Sequence, residues 1–254
     1  MAGNTSVQGA SVAARTLALL GAFDEKHRSL TLSEMARRAD LAVPTAHRLV
    51  GELERWSALV RQPDGRYVVG RRMWDLGLLA PIQTGIRDAA GPYLYDLYAA
   101  TRATVHLAVR DGTSVLYLDR IAGNESVPVV SKVGGHLPMP ATGVGKVLLA
   151  YAPEDIRAEA LSRLTRITPH TVTNRQVLEA QLRRVHTAGY ATTAEEMSLG
   201  ACSIAVPVHG PDGVVAALGV VVGSLRDRAR LLAALQVAAR GIGRQLGARQ
   251  PLEP

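Results

Sequence analysis

Cysteine occurs once in 254 residues, at Cys202. That excludes an internal disulfide and any zinc cluster built from paired thiolates, and it is compatible with a reducing compartment. There is no uninterrupted apolar run of roughly eighteen residues, so no segment reads as a membrane-spanning helix. Residues 1–9 lack the charged, then apolar, then small layout of a secretory leader, which leads to the expectation of a cytoplasmic chain without a membrane partner. Lysine is scarce as well. Lys26, Lys132 and Lys146 are the only ones, so arginine carries most of the net charge of +7, a balance that fits a polyanionic partner. Groups suited to catalysis are few. His106, His136, His170 and His209 are too scattered for metal-ligand spacing, and no nucleophile signature surrounds Cys202. The expectation is therefore no enzyme, no cofactor and no metal. No repeat of fixed period appears, and the length suits two modest domains.

What is present begins at Thr31-Leu32-Ser33-Glu34. Thr31 and Glu34 have the spacing of a capping box, which predicts a helix from Leu32 with Leu32, Met35 and Ala36 on its inner face and Arg37 and Arg38 outside. The periodicity lapses at Ala39–Ala42. Pro44 then suits the first position of a second helix, in which Ala46, Leu49, Val50 and Leu53 face inward. Thr45, His47, Arg48 and Glu52 are left outward near its start, as on a helix that enters a DNA major groove. The stretch LVRQPDGRYVV follows, two short strands around a Pro-Asp-Gly turn, which reads as a wing with Arg61, Gln62 and Arg66 at its tip. Upstream, Ser11 to Asp24 is predicted as a helix with Val12, Leu17, Leu20 and Phe23 inward and Arg15 on its polar side. Residues 1–10 read as a disordered tail.

The segments ARTLALLGAF, LAVPTAHRLVGELE and RQPDGRYVVGRRMWDLG resemble the N-terminal domain of the IclR family of bacterial transcriptional regulators, and the likeness extends over nearly the whole chain. It implies two domains of α+β class: a winged helix-turn-helix over 11–70, a linker helix over 71–88, and a GAF-like effector-binding and oligomerisation domain over 89–254. It also implies a double-stranded DNA operator, a small-molecule effector, and homodimers that can pair into tetramers. Groove contacts are expected from Pro44, Thr45, His47 and Arg48, with phosphate or wing contacts from Arg15, Ser33, Arg61 and Arg66. A sensor that acts only through protein contacts, its winged helix never meeting DNA, is the alternative. In the linker Met73, Trp74, Leu76 and Leu78 are more apolar than a free segment would expose. Ile82 to Thr101 reads as the next helix, with a kink or restart at Pro92.

From Thr104 the period becomes two. TVHLAVR and SVLYLDRI form a predicted hairpin around Asp111-Gly112-Thr113, and Val127 to Val133 reads as a third strand. GGHLPMPATGVGK then leads into a helix from about Val144 to Tyr151. A phosphate-binding P-loop is excluded, because Pro140 stands at its first glycine and Val147 where Ser or Thr would hold magnesium. The family's G-x-x-x-P-x-x-x-T-G-x-G-K loop is matched at Gly134, Pro138, Thr142, Gly143, Gly145 and Lys146. The resemblance makes it a wall of the effector pocket, with bare amides and a helix dipole that favour an anion. Arg175 to Ala188 and Arg226 to Leu246 read as further helices. The chain departs from the family at Thr193, at Cys202 with Ser203 in the usual cysteine position, and at Gly219 and Val221, where polar-effector members carry hydroxyls. A more apolar pocket follows, suited to an aromatic or similarly apolar carboxylate. Its acid is expected near Gly143 and Val144, and its body near Leu107, Met139, Met197 and Val221.

Overall fold

The computed structural model describes residues 11–24, 26–79, 84–124 and 126–248. The expected tail over 1–10 lies outside the described residues, as do Pro81 and the side chain of Leu78. The chain divides into two units, Met1–Pro81 and Ile82–Pro254.

In the first unit α1 (Val12–Leu20) starts behind Ser11, whose hydroxyl accepts the Ala14 amide. Its inner face is only partly the expected one. Leu20 and Phe23 pack against the core as expected, beside the buried Leu19 and Ala22, whereas Val12 and Leu17 are 51% and 65% exposed. Arg15, one turn before Leu19, is half-buried rather than on the polar side, and its Nε is buried without a hydrogen-bond partner. A short strand β1 (Ser29–Leu30) precedes α2 (Leu32–Arg38), where the capping box forms in both directions. Asp40 turns the chain at φ 52 into α3 (Val43–Arg55), with Pro44 in its first turn behind an Ala42 cap. Ala46, Leu49, Val50 and Leu53 are all buried. With Met35, Ala36 and Leu19 they form the core of this unit.

Strands β2 (Leu59–Arg61) and β3 (Tyr67–Val69) make the wing, and β3 lies between β1 and β2 in an antiparallel sheet. Gly70 is needed where β3 ends, since a Cβ there would stand 2.1 Å from the Ser57 carbonyl oxygen. The linker helix expected over 71–88 is shorter, α4 (Arg71–Leu78), and the helix expected over Ile82 to Thr101 is α5 (Thr84–Thr101), which belongs to the second unit. Pro92 sits inside α5 without dividing it.

In the second unit β4 (Thr104–Asp111) and β5 (Ser114–Ile121) form the expected hairpin. Val127 to Val133 is not a strand. Pro128 lacks the amide a ladder needs, and the position beside β5 is taken by β6 (His136–Pro138). After a 3-10 turn come α6 (Gly143–Ala150), α7 (Glu154–Ser162), α8 (Arg175–Ala188), β7 (Ala191–Ala194), β8 (Cys202–Gly210), β9 (Gly213–Val222) and α9 (Arg228–Ala248). The sheet order is β6-β5-β4-β9-β8-β7, every pairing antiparallel.

Strand parity divides the side chains between two layers. Leu107, Val105, Leu218 and Ile204 pack with Leu94 of α5 and Leu235 of α9 on one face. Ala108, Ala205 and Ala217 meet the wholly buried α6 on the other, with Leu178 and Leu182 of α8 behind it. Small residues bring α6 this close. A Cβ on Gly219 would stand 2.8 Å from Val144, and one on Gly143 2.4 Å from the Ser203 hydroxyl.

Candidate functional site

In the first unit the packing of α3 fixes what it presents outward. Because Ala46, Leu49 and Val50 are buried, His47 and Arg48 are exposed and Thr45 is half-exposed, all within two turns of the helix start. No described acid pairs with Arg48. Ser33 is exposed on the second residue of α2 and Arg61 on β2, its guanidinium 5.9 Å over the Tyr67 ring. Arg66 differs from its expected place at the wing tip. Its Nη2 donates to the Ser29 carbonyl at 2.8 Å and to the Glu34 carboxylate at 2.9 Å, and its Nε to the Ser29 hydroxyl at 3.2 Å. Three donors used inside the protein make it a tie between wing and α2. The Thr31 amide and hydroxyl, with Arg66 and Arg37 nearby, hold the Glu34 carboxyl below its ordinary range. Arg38, expected in solvent, is tied to the Ala22 carbonyl and the Asp24 carboxylate.

In the second unit a cavity of about 50 Å³ lies between the sheet and α6. It brings together Gly143, Val144, Thr193, Met197, Ser203, Gly219 and Val221 of the residues expected there. Thr193 and Ser203, directly paired across β7 and β8, share a 2.6 Å hydroxyl contact beside the α6 N-terminus. Thr142 caps that helix by accepting the Gly145 amide. The first amides of a helix have no carbonyl within it to bond.

Three expected residues are placed elsewhere. Leu107 is fully buried against α5 and α9, one residue out of parity with the cavity face, and Met139 is fully buried behind the 3-10 turn in the α6 core. Cys202 lies one step from the cavity wall on β8, where burial and the Glu195 carboxylate push its thiol pKa up, away from a reactive thiolate. Among the described residues no three His, Cys, Asp or Glu side chains come together as a metal site.

The wall also holds groups that sequence reasoning missed. His106, not Leu107, faces the cavity from β4, with Tyr117 of β5 beside it at 4.9 Å between ring centroids. His106 Nε2 is 2.7 Å from the Ser131 hydroxyl. Burial, with the Arg120 charge adding to it, depresses His106 to about 3, so the ring is neutral at physiological pH. Burial likewise pushes Tyr117 above the ordinary phenol range, against a hydrogen bond with Thr142. The polar-apolar alternation Thr104-Val105-His106 was a usable signal for His106.

Lys146 explains the rest of the loop motif. It is 1% exposed and donates to Glu196 at 2.5 Å and to Gln181 of α8 at 2.7 Å. Desolvation pulls its pKa down and the Glu196 carboxylate pulls it back up. Thr168 and Thr171 anchor the same segment by donating to the Glu195 and Glu196 carbonyls. The lysine that suggests a phosphate site is thus committed to holding α6, α8 and the 195–200 turn together.

Comparison with known proteins bears on both units. The sequence model described as "IclR helix-turn-helix domain" matches residues 12–63, and that of the "Bacterial transcriptional regulator IclR C-terminal" matches 81–245. The HTH-type transcriptional regulator XynR of Escherichia coli K12 is 30% identical over 241 residues, 92% of this chain and 96% of that protein. An IclR homolog from Microbacterium hydrocarbonoxydans, solved in complex with 4-hydroxybenzoate, is 34% identical with TM-score 0.90, covering 94% of this chain and all of that one. The Thermotoga maritima IclR structure is 29% identical with TM-score 0.76, over 92% of this chain and 97% of that one.

Proposed function

Because the chain belongs to the IclR family of bacterial transcriptional regulators, we propose that it is a cytoplasmic repressor of a catabolic operon, released or retained at its operator by an aromatic carboxylate. In this reading Thr45, His47 and Arg48, with Pro44 setting the first turn, approach base edges. Ser33, Arg61 and Arg15 lie toward phosphate, and Arg66 holds the wing in place for them. The protein works as a homodimer or tetramer, so that two helix-turn-helix units meet two half-sites.

The observation that carries the effector reading is the composition of the cavity wall. Val144, Leu137, Ala205, Val221 and Met197 supply an apolar lining, and among its described residues only His106 and Tyr117 are ionisable, both held neutral. A ligand's negative charge therefore has one place to go, the amides of Gly143 and Val144 at the α6 N-terminus, beside the Thr193 and Ser203 hydroxyls. The aromatic body lies against the apolar wall. The 4-hydroxybenzoate complex of the Microbacterium homolog supports the same ligand class.

The test is a gel shift at fixed salt with DNA from upstream of the protein's own gene, with and without benzoate or 4-hydroxybenzoate. Retarded DNA whose fraction changes with the acid supports the proposal. Absence of any shift at low salt overturns the operator reading. A shift that responds only to compact polar acids such as pyruvate overturns the effector reading.

A further inference from the structure

One end of the cavity is polar without being charged. His106 and Ser131, each 4% exposed, hold one another at 2.7 Å across the wall. Both line the cavity, and a serine hydroxyl bonded once keeps capacity for a further partner. We propose that His106 and Ser131 form a second subsite that takes an uncharged hydroxyl at the end of the ligand opposite its carboxylate. This rests on the reading of the cavity as an aromatic-acid site and names which aromatic acids it selects.

Chemistry excludes the other polar groups. A second anion would meet a neutral imidazole, since the nearest cation, Arg120 beside His106 on β5, is exposed and outside the wall, and an ammonium would meet no carboxylate among the described wall residues. A hydroxyl both donates and accepts, and it fits either tautomer of His106, because Ser131 can turn its own hydroxyl to suit. The distance fits as well. Ser203 lies in register with Val221 and Val221 with Thr104, so the acid end and the hydroxyl end are two strands apart, with His106 one side-chain pair further on. At about 4.8 Å between strands and about 6.8 Å per pair of residues, Ser203 and His106 stand roughly 12 Å apart at the sheet. A benzene ring with polar groups at its 1 and 4 positions, hydrogen-bonded at each end, fills that span, whereas a 1,2 arrangement does not.

Isothermal titration of the full chain with benzoate, 4-hydroxybenzoate, 2-hydroxybenzoate and 4-methylbenzoate tests this. The expectation is that 4-hydroxybenzoate binds about tenfold or more tighter than benzoate, as for one good hydrogen bond in a dry site, and that the other two gain nothing. Ser131→Ala, which spares the buried imidazole, narrows that ratio to about threefold or less. Equal binding of benzoate and 4-hydroxybenzoate, or a full ratio in Ser131→Ala, overturns the hydroxyl subsite and leaves the aromatic-acid site standing. No binding of any of the four overturns the aromatic-acid site and this subsite with it.

Discussion

A single side chain on α3 is the sharpest test of the DNA-binding surface. Arg48 is exposed and has no described acidic partner, so Arg48→Ala should leave the fold intact and weaken operator binding by about 1–3 kcal/mol, the range for a lost base contact. Gel shifts at one salt concentration measure it. His106 makes a different prediction. The unfolded chain carries a proton on this imidazole below about 6.5, while the folded chain excludes it until about 3. Stability is therefore highest above that interval and falls as pH falls through it, by up to about 1.4 kcal/mol per pH unit from this residue. Urea titrations of wild type and His106→Gln between pH 7 and 4 should show the steeper fall in the wild type. Lys146 predicts a third result. Lys146→Met leaves Glu196 buried and unpaired and should cost about 3–5 kcal/mol of stability, much of it restored when Glu196→Met is added. Thermal melts of the two single variants and the double variant measure the coupling.

At the scale of elements, the helix-turn-helix was legible because its determinants are local. The Thr31–Glu34 box, Pro44 and the spacing of Ala46, Leu49, Val50 and Leu53 act within a few residues, and the structure places them as the sequence does, except that Pro44 is the second residue of α3 and not the first. The face of α1 was not legible. Its nine residues are apolar enough on two sides that only contact with α2 and α3 selects Leu19 over Leu17. The same ambiguity misplaced Leu107. Six successive residues of β4, from Thr104 to Val109, are buried, so hydrophobicity could not say which parity faces the cavity, and a one-residue slip exchanges the faces. The run 127–133 looked like a strand because Val127, Val129, Val130 and Val133 have the composition of one. Its backbone is irregular and Val130 and Val133 remain exposed. The wing yields its own prediction. Arg66→Ala breaks the tie to Ser29 and Glu34 and should lower both stability, by about 1 kcal/mol, and operator affinity. Arg61→Ala should leave stability unchanged and reduce the salt slope of DNA binding by about one. Paired denaturation and salt-dependent binding curves distinguish the roles.

For the molecule as a whole, the two units were legible as a change of period, from helix spacing to alternation near Thr104. The boundary was less so, because α5 begins inside the stretch read as linker and belongs to the second unit. Trp74, Leu76 and Leu79 stay exposed on or just after α4, Trp74 at 62%. So much apolar surface in one short stretch suits contact with a second copy of the chain. Sedimentation equilibrium should find dimers or tetramers, and Trp74→Ser with Leu79→Ser should shift the mass toward monomer and weaken operator binding together. An unchanged mass would remove this stretch from the assembly.

The uncharged cavity wall has a consequence for how ligand capture responds to warming. On the proposed reading of the cavity as an aromatic-acid site, taking the ring out of water against Val144, Leu137, Ala205 and Met197 carries a negative heat-capacity change. The heat released on capture should grow steadily with temperature, while the free energy, cushioned by opposing entropy, barely moves. The sensor would then report the concentration of its acid with nearly the same sensitivity on a cold day as on a warm one.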